Sequence, residues 1–137
     1  MKGKASELTA RLALLSNGWV VAKPETDEAY DIVARDPANG EWKTLQVKTI
    51  RQRMDRGGDL VIYAKKGNGE PYEVSDADYI VGVLGIDGSP PRVWMFENRG
   101  IGEYWCRETY ASERWIELPL ALDREIYEGE AVSCPAS

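Results

Sequence analysis

The stretch "TLQVKTI", residues 44–50, sets an amide, Gln46, two residues from an ammonium, Lys48. In an extended chain successive side chains point to opposite faces, so Gln46 and Lys48 share one face while Leu45, Val47 and Thr49 share the other. Left to themselves these residues describe a half-exposed strand with its polar face in water. An acid meeting the same face changes the chemistry. A carboxylate and an amide oxygen are ligands for a hard divalent cation, and a nearby amine orients a water or holds an anionic group. Asp31 is placed to be that acid.

Positioning these groups falls to the elements around them. Leu8, Leu12, Ala13 and Leu15 recur near helical spacing and Asn17-Gly18 closes the run, which predicts a helix over about residues 4–16 carrying Glu7. "WVVA" reads as a strand, followed by a polar loop with Pro24 and Asp27. "AYDIVARD" is a second strand, and Asn39-Gly40 favours a tight hairpin turn because both residues tolerate positive φ. "EWKTLQVKTI" then returns antiparallel to the second strand, and the hairpin brings Asp31 beside Gln46 and Lys48.

Beyond it, "RQRMDRGGD" reads as a mobile basic loop and "LVIYAKK" as a fourth strand leading to the turn-rich "GNGEPY". "DADYIVGVLGI" has the continuous apolar character of a strand buried on both faces, joined through "DGSPP" to "RVWMFE". Trp105, Tyr110, Trp115, Leu118, Leu122 and Ile126 predict one or two helical pieces over residues 103–128, with Pro119 at a helix start, and Trp94, Trp105 and Trp115 read as core or its edge. The expected organisation is one domain over residues 1–128 and a flexible tail over 129–137.

Composition narrows the chemistry. The 137 residues contain no histidine, which removes Ser-His-Asp and Cys-His catalysis and every His-dependent zinc site. Two cysteines, Cys106 and Cys134, cannot form a four-cysteine zinc site and suit a reducing compartment. Hydrolytic chemistry here must rest on carboxylates, amides and lysines with a hard cation. The apolar windows are too short to span a bilayer and no signal-peptide pattern opens the chain, so a cytoplasmic location is expected. The net charge is −6, yet residues 1–66 hold 12 Lys/Arg against 9 Asp/Glu, so a local basic surface can exist on an acidic protein.

The order helix with Glu7, strand with Asp31, hairpin, strand with Gln46-Val47-Lys48 resembles the PD-(D/E)xK nuclease superfamily. "GKASELTARLALLSNGW" looks like its first helix, "YDIVA" like its Asp strand and "LQVKT" like its catalytic strand. "KKGNGEPYEVSDADYIVGV" followed by "VWMF" is similar to the branch of homing endonucleases and Holliday-junction-resolvase-like enzymes. Gln46 stands where Glu is commoner, and Tyr30 where the motif's Pro would be.

The resemblance implies an α/β (α+β) fold with a restriction-endonuclease-like core, a central mixed β-sheet of about five strands flanked by helices. It also implies a metal-dependent DNA endonuclease acting on duplex or branched DNA as a homodimer or higher homo-oligomer. Asp31, Gln46, Lys48 and Glu7 are then the catalytic set, and Asp31, Glu7, the Gln46 amide oxygen and the Val47 carbonyl the ligands of Mg²⁺ or Mn²⁺. Arg51, Arg53, Arg56, Lys65 and Lys66 are candidates for phosphate contact, or else an ordinary solvated loop. The competing expectation is a catalytically inactive nuclease-fold module that binds DNA or a protein partner. Glu7, read alone, could do no more than favour the positive end of its helix.

Overall fold

The computed structural model describes residues 2–121, so the expectations for Leu122, Ile126, Cys134 and the tail over 129–137 fall outside the described residues. Helix α1 (Lys2–Ser16) is followed by strands β1 (Val20–Ala22), β2 (Ile32–Arg35), β3 (Trp42–Thr49), β4 (Arg51–Arg53) and β5 (Asp59–Tyr63). Then come β6 (Tyr79–Ile86), β7 (Ser89–Glu97), β8 (Glu103–Cys106), the short helix α2 (Ala111–Arg114) and β9 (Ile116–Glu117). Single 3₁₀ turns occupy Met54–Arg56 and Glu108–Tyr110.

A six-stranded sheet runs β1-β2-β3-β6-β7-β9, and a separate three-stranded sheet runs β4-β5-β8. Within the large sheet β3 and β6 pair in parallel and every other pairing is antiparallel. The architecture is thus α+β around a central mixed sheet, with six strands where about five were expected.

Side-chain alternation makes three layers of this. Val81 and Val83 of β6 join Leu45, Val47, Ile32 and Met95 in a cluster beneath Ala10, Ala13 and Leu14 of α1. Ile80 and Leu84 of the same strand face the other way, onto Leu60 and Ile62 of β5, Tyr104 of β8, Trp94, Trp115 and Ala111 of α2. The strand expected to be buried on both faces is so because a helix covers one and the small sheet the other. Cys106 lies in this second layer, where burial pushes its thiol up to about 11, leaving it unreactive.

Local chemistry explains the element ends. Gly18 adopts φ 86° and the Trp19 N–H reaches back to the Leu14 carbonyl at 3.0 Å, closing α1 as the Asn17-Gly18 pair predicts. In the β2–β3 hairpin only Gly40 takes positive φ (74°); Asn39 keeps a negative φ and uses its side chain to accept from the Glu41 N–H at 2.9 Å. The antiparallel pairing survives the change of turn type, with Ile32 opposite Leu45.

Two expectations are overturned. The segment after Ile50 is not a mobile loop: Gln52 and Arg53 pair with Leu60 and Asp59, because the Gly57-Gly58 pair (φ 68° and 87°) turns the chain into a hairpin. Over residues 103–121 the expected helical pieces shrink to a 3₁₀ turn and the four-residue α2, and the stretch before them is strand, since Tyr104 and Cys106 alternate inward with period two. Trp94 and Trp115 are core as expected, whereas Trp105 is 51% exposed.

Gly82 sits where the sheets press closest. A Cβ there would lie 2.7 Å from Ile62 Cδ1 and 3.0 Å from Ile50 Cδ1. Gly82→Ala is expected to destabilise the fold by about 1–3 kcal/mol through overpacking. Urea denaturation reads this as a lower midpoint at unchanged slope; wild-type stability would show that the sheets are not in contact at this point.

Candidate active site

β3 is paired with β6 across its C-terminal half, Leu45 to Thr49, but its other neighbour, β2, reaches only to Ile32 opposite Leu45. Past that point the edge of β3 is open, and Asp31 fills it. The Asp31 N–H donates to the Leu45 carbonyl at 2.9 Å, and its carboxylate oxygen Oδ2 accepts from the Val47 N–H at 3.0 Å. Continuing the register puts Asp31 opposite Gln46, at cross-strand spacing of about 5 Å.

Gln46 and Lys48 face away from α1, as alternation requires once Leu45 and Val47 join the helix-side cluster. Gln46 is 7% exposed. Lys48 extends over the Tyr72 ring, its Nζ 4.9 Å from the centroid, and donates to the Lys65 carbonyl at 3.2 Å. Among the described residues it has no carboxylate partner within ion-pair distance, so the ammonium is positioned by a π-face and a carbonyl and its charge stays available.

Glu7 approaches from the helix side. Its Oε2 is 2.7 Å from Lys23 Nζ and 3.9 Å from Arg11, yet it is buried and receives no hydrogen bond of good alignment. One turn of contact fixes the helix over the strand: Ser6 Oγ and Thr49 Oγ1 are 2.6 Å apart. Asp31, lying in the plane of the sheet, feels groups from both faces. Burial raises its carboxyl above the usual value, the Val47 N–H opposes this, Glu7 raises it further, and Lys48 and Lys23 lower it.

The structure therefore brings Asp31, Gln46, Val47, Lys48 and Glu7 together, and Lys23, Tyr72, Ser6 and Thr49 join them. Lys23 stands in a connector with no periodic pattern and Tyr72 in the turn-rich "GNGEPY", so neither carries a signal in sequence. The basic candidates divide. Arg53 pairs with Asp55 and with the Tyr63 hydroxyl, Arg56 with Glu103 at 3.0 Å and Lys66 with Asp76 at 2.8 Å. Arg51 and Lys65 are exposed and make no ion pair among the described residues.

The candidate donors are all oxygens, a set that suits Mg²⁺ or Mn²⁺, and one of them, the Glu7 carboxylate, already faces the Lys23 ammonium at 2.7 Å. Among the described residues no group of three or more Asp, Glu, His or Cys is arranged to hold a metal, so a site here needs the Gln46 amide and the Val47 carbonyl as well. Two grooves of about 500 Å³ lie apart from Asp31, Gln46 and Lys48: one is walled by Phe96, Trp105 and Trp115, the other borders Ser6 and Thr49 on the helix side.

The fold is shared with a bacterial homing endonuclease whose solved structure superposes with a TM-score of 0.60 at 23% identity, covering 78% of this chain and 76% of that one. No protein-family model matches the chain, and no curated protein matches it. No helix among the described residues is long and apolar enough to cross a membrane.

The Asp31 carboxyl gives a stability signature. Its folded value is raised, so the folded state binds the proton more tightly, and stability falls as pH climbs above the ordinary value of 3.8. Asp31→Asn keeps an acceptor for the Val47 N–H and removes the buried charge. Its melting temperature should equal or exceed that of wild type at pH 7 with the gap closing by pH 4, and a variant markedly less stable at pH 7 would contradict this.

Proposed function

We propose that this chain is a metal-dependent endodeoxyribonuclease of the PD-(D/E)xK type, hydrolysing phosphodiester bonds in duplex or branched DNA. The observation that carries the reading is the convergence of Asp31, Gln46, Lys48 and Glu7 where β2 leaves β3, in a fold that a bacterial homing endonuclease shares. Asp31, Glu7, the Gln46 amide oxygen and the Val47 carbonyl would hold the cation. A bound Mg²⁺ or Mn²⁺ supplies a more acidic water and neutralises charge that grows on the phosphate.

The remaining work belongs to the chain's own groups. Lys48, presented on Tyr72 and held by the Lys65 carbonyl, orients the attacking water or grips the scissile phosphate. Arg51 and Lys65 are free to bind neighbouring phosphates, whereas Arg53, Arg56 and Lys66 must first leave their acids. Glu7 is already neutralised by Lys23 at 2.7 Å, so Lys23 must yield for Glu7 to act as a ligand. Cutting both strands calls for two copies of the site, which a homodimer supplies.

The second reading, a DNA-binding module without chemistry, is favoured by two features: Lys23 occupies the charge of Glu7, and Gln46 contributes none. Lys48→Ala separates the two. It should retain the wild-type circular dichroism spectrum and lower the rate of plasmid cleavage in Mg²⁺ by on the order of a hundredfold or more, the loss expected when one preorganised electrostatic group is removed. An unchanged rate would remove Lys48 from the mechanism. Gln46→Leu should slow cleavage and raise the Mg²⁺ concentration needed for half-maximal rate, while an amide that merely fills space would leave both untouched and shift stability by no more than about 0.5 kcal/mol.

A further inference from the structure

The small sheet has an outer face that the packing of the two sheets does not use. Leu60 and Ile62 of β5 and Tyr104 of β8 point inward, so alternation turns Val61, Tyr63 and Trp105 outward, with Arg51 in register with Val61 and Val61 in register with Trp105. Val61 is fully buried on this outward face while Trp105 is half exposed.

Arginines stand over its two aromatic rings. The Arg51 guanidinium lies 5.8 Å from the Tyr63 ring centroid, and Arg114 lies 5.4 Å from that of Trp105 while donating to the Trp105 carbonyl at 2.9 Å. Arg107, two residues along β8's direction from Trp105, has a side chain 67% exposed and meets Asp59 only loosely, at 3.6 Å. Residues 67–137 hold 5 Lys/Arg against 14 Asp/Glu, and two of those five cations stand here. The strip is also continuous with the candidate site, because the Lys48 ammonium donates to the carbonyl of Lys65, the exposed residue that continues β5's outward side.

We infer that double-stranded DNA lies along this outer face as it enters the candidate site, held by its phosphates through Arg51, Arg107 and Arg114, with Lys65 at the end beside Lys48. The inference rests on the endonuclease reading above and names the surface that presents its substrate. From Asp59 to Lys65 the strand advances about 20 Å, the span of about six phosphates along one DNA strand.

Two features select a duplex contacted through its backbone. The aromatic rings carry guanidinium groups over their faces, which denies bases a stacking platform and fixes the planar N–H forks for phosphate oxygens. A duplex, with its higher density of charge along the axis, then gains more from three fixed cations than a single strand does.

The test is fluorescence anisotropy with a labelled mixed-sequence duplex of about 30 base pairs and the matching single strand, in EDTA so that no strand is cut, across a range of KCl concentrations. The variant Arg51→Gln/Arg107→Gln/Arg114→Gln should bind the duplex more weakly and lower the steepness of log K against log salt by about 2.7, or 0.9 for each phosphate contact removed. Arg35→Gln, on β2, should behave as wild type. Trp105→Ala, which takes away the support of one guanidinium, should fall between, with melting curves confirming that each variant is folded.

Wild-type affinity and salt dependence in the triple variant, tighter binding of the single strand, or no duplex binding by wild type would each overturn the inference. Binding that depends on these arginines in a protein that cuts no plasmid in Mg²⁺ or Mn²⁺ would support this surface and sink the catalytic reading instead.

Discussion

The hydrogen bond from the Val47 N–H to the Asp31 carboxylate is the constraint on which the arrangement turns. A strand with a neighbour on one side only leaves backbone donors open, and one left buried without a partner costs about 1–3 kcal/mol. β3 meets this condition past Leu45, where β2 ends, and Asp31 meets it with a side chain. The same bond holds an acid in the plane of the sheet, where Glu7 reaches it from the helix side and Lys48 from the opposite side. Backbone satisfaction and site geometry are thus one requirement, and the raised Asp31 carboxyl is its energetic cost.

The layers above and below set the other groups. Ser6 on Thr49 fixes how far α1 can slide, and with it where Glu7 lies. The small sheet packs on β6 because Gly82 leaves room for Ile62 and Ile50, and its end supplies the Lys65 carbonyl that receives Lys48. Gln46 and Lys48 of the candidate site stand on β3 and Asp31 directly before β2, strands whose positions are decided by core packing.

Much of this was legible in the chain. The alternation of Leu45, Gln46, Val47 and Lys48 assigned faces correctly because the apolar partners have a helix to pack on, and the Asn39-Gly40 turn forced Asp31 beside them even though only Gly40 adopts the left-handed conformation. The small sheet was not legible. Arg51–Arg53 reads as a solvated loop because β4 has only three residues, two of them arginine, and the apolar partners that make it a strand lie on β5 and β8. The aromatic spacing beyond Glu103 imitates a helix because Trp105 faces solvent while Tyr104 and Cys106 face the core, a distinction that appears only when the second sheet is in place. Lys23 and Tyr72 escaped because each stands in a loop and gains its role from a side chain distant in sequence, Glu7 for the one and Lys48 for the other, not from a repeat along the chain.

The proposed activity requires that the candidate oxygens at the open edge of β3 bind one hard cation. Isothermal titration of Mg²⁺ and of Mn²⁺ into wild type, Asp31→Asn and Lys65→Ala tests it without reference to DNA. One ion per chain, weakened by at least about tenfold in Asp31→Asn and unchanged in Lys65→Ala, is the predicted result, since affinity for a hard cation follows the charge of its ligands. Equal affinity in wild type and Asp31→Asn, or no binding by wild type, would contradict it.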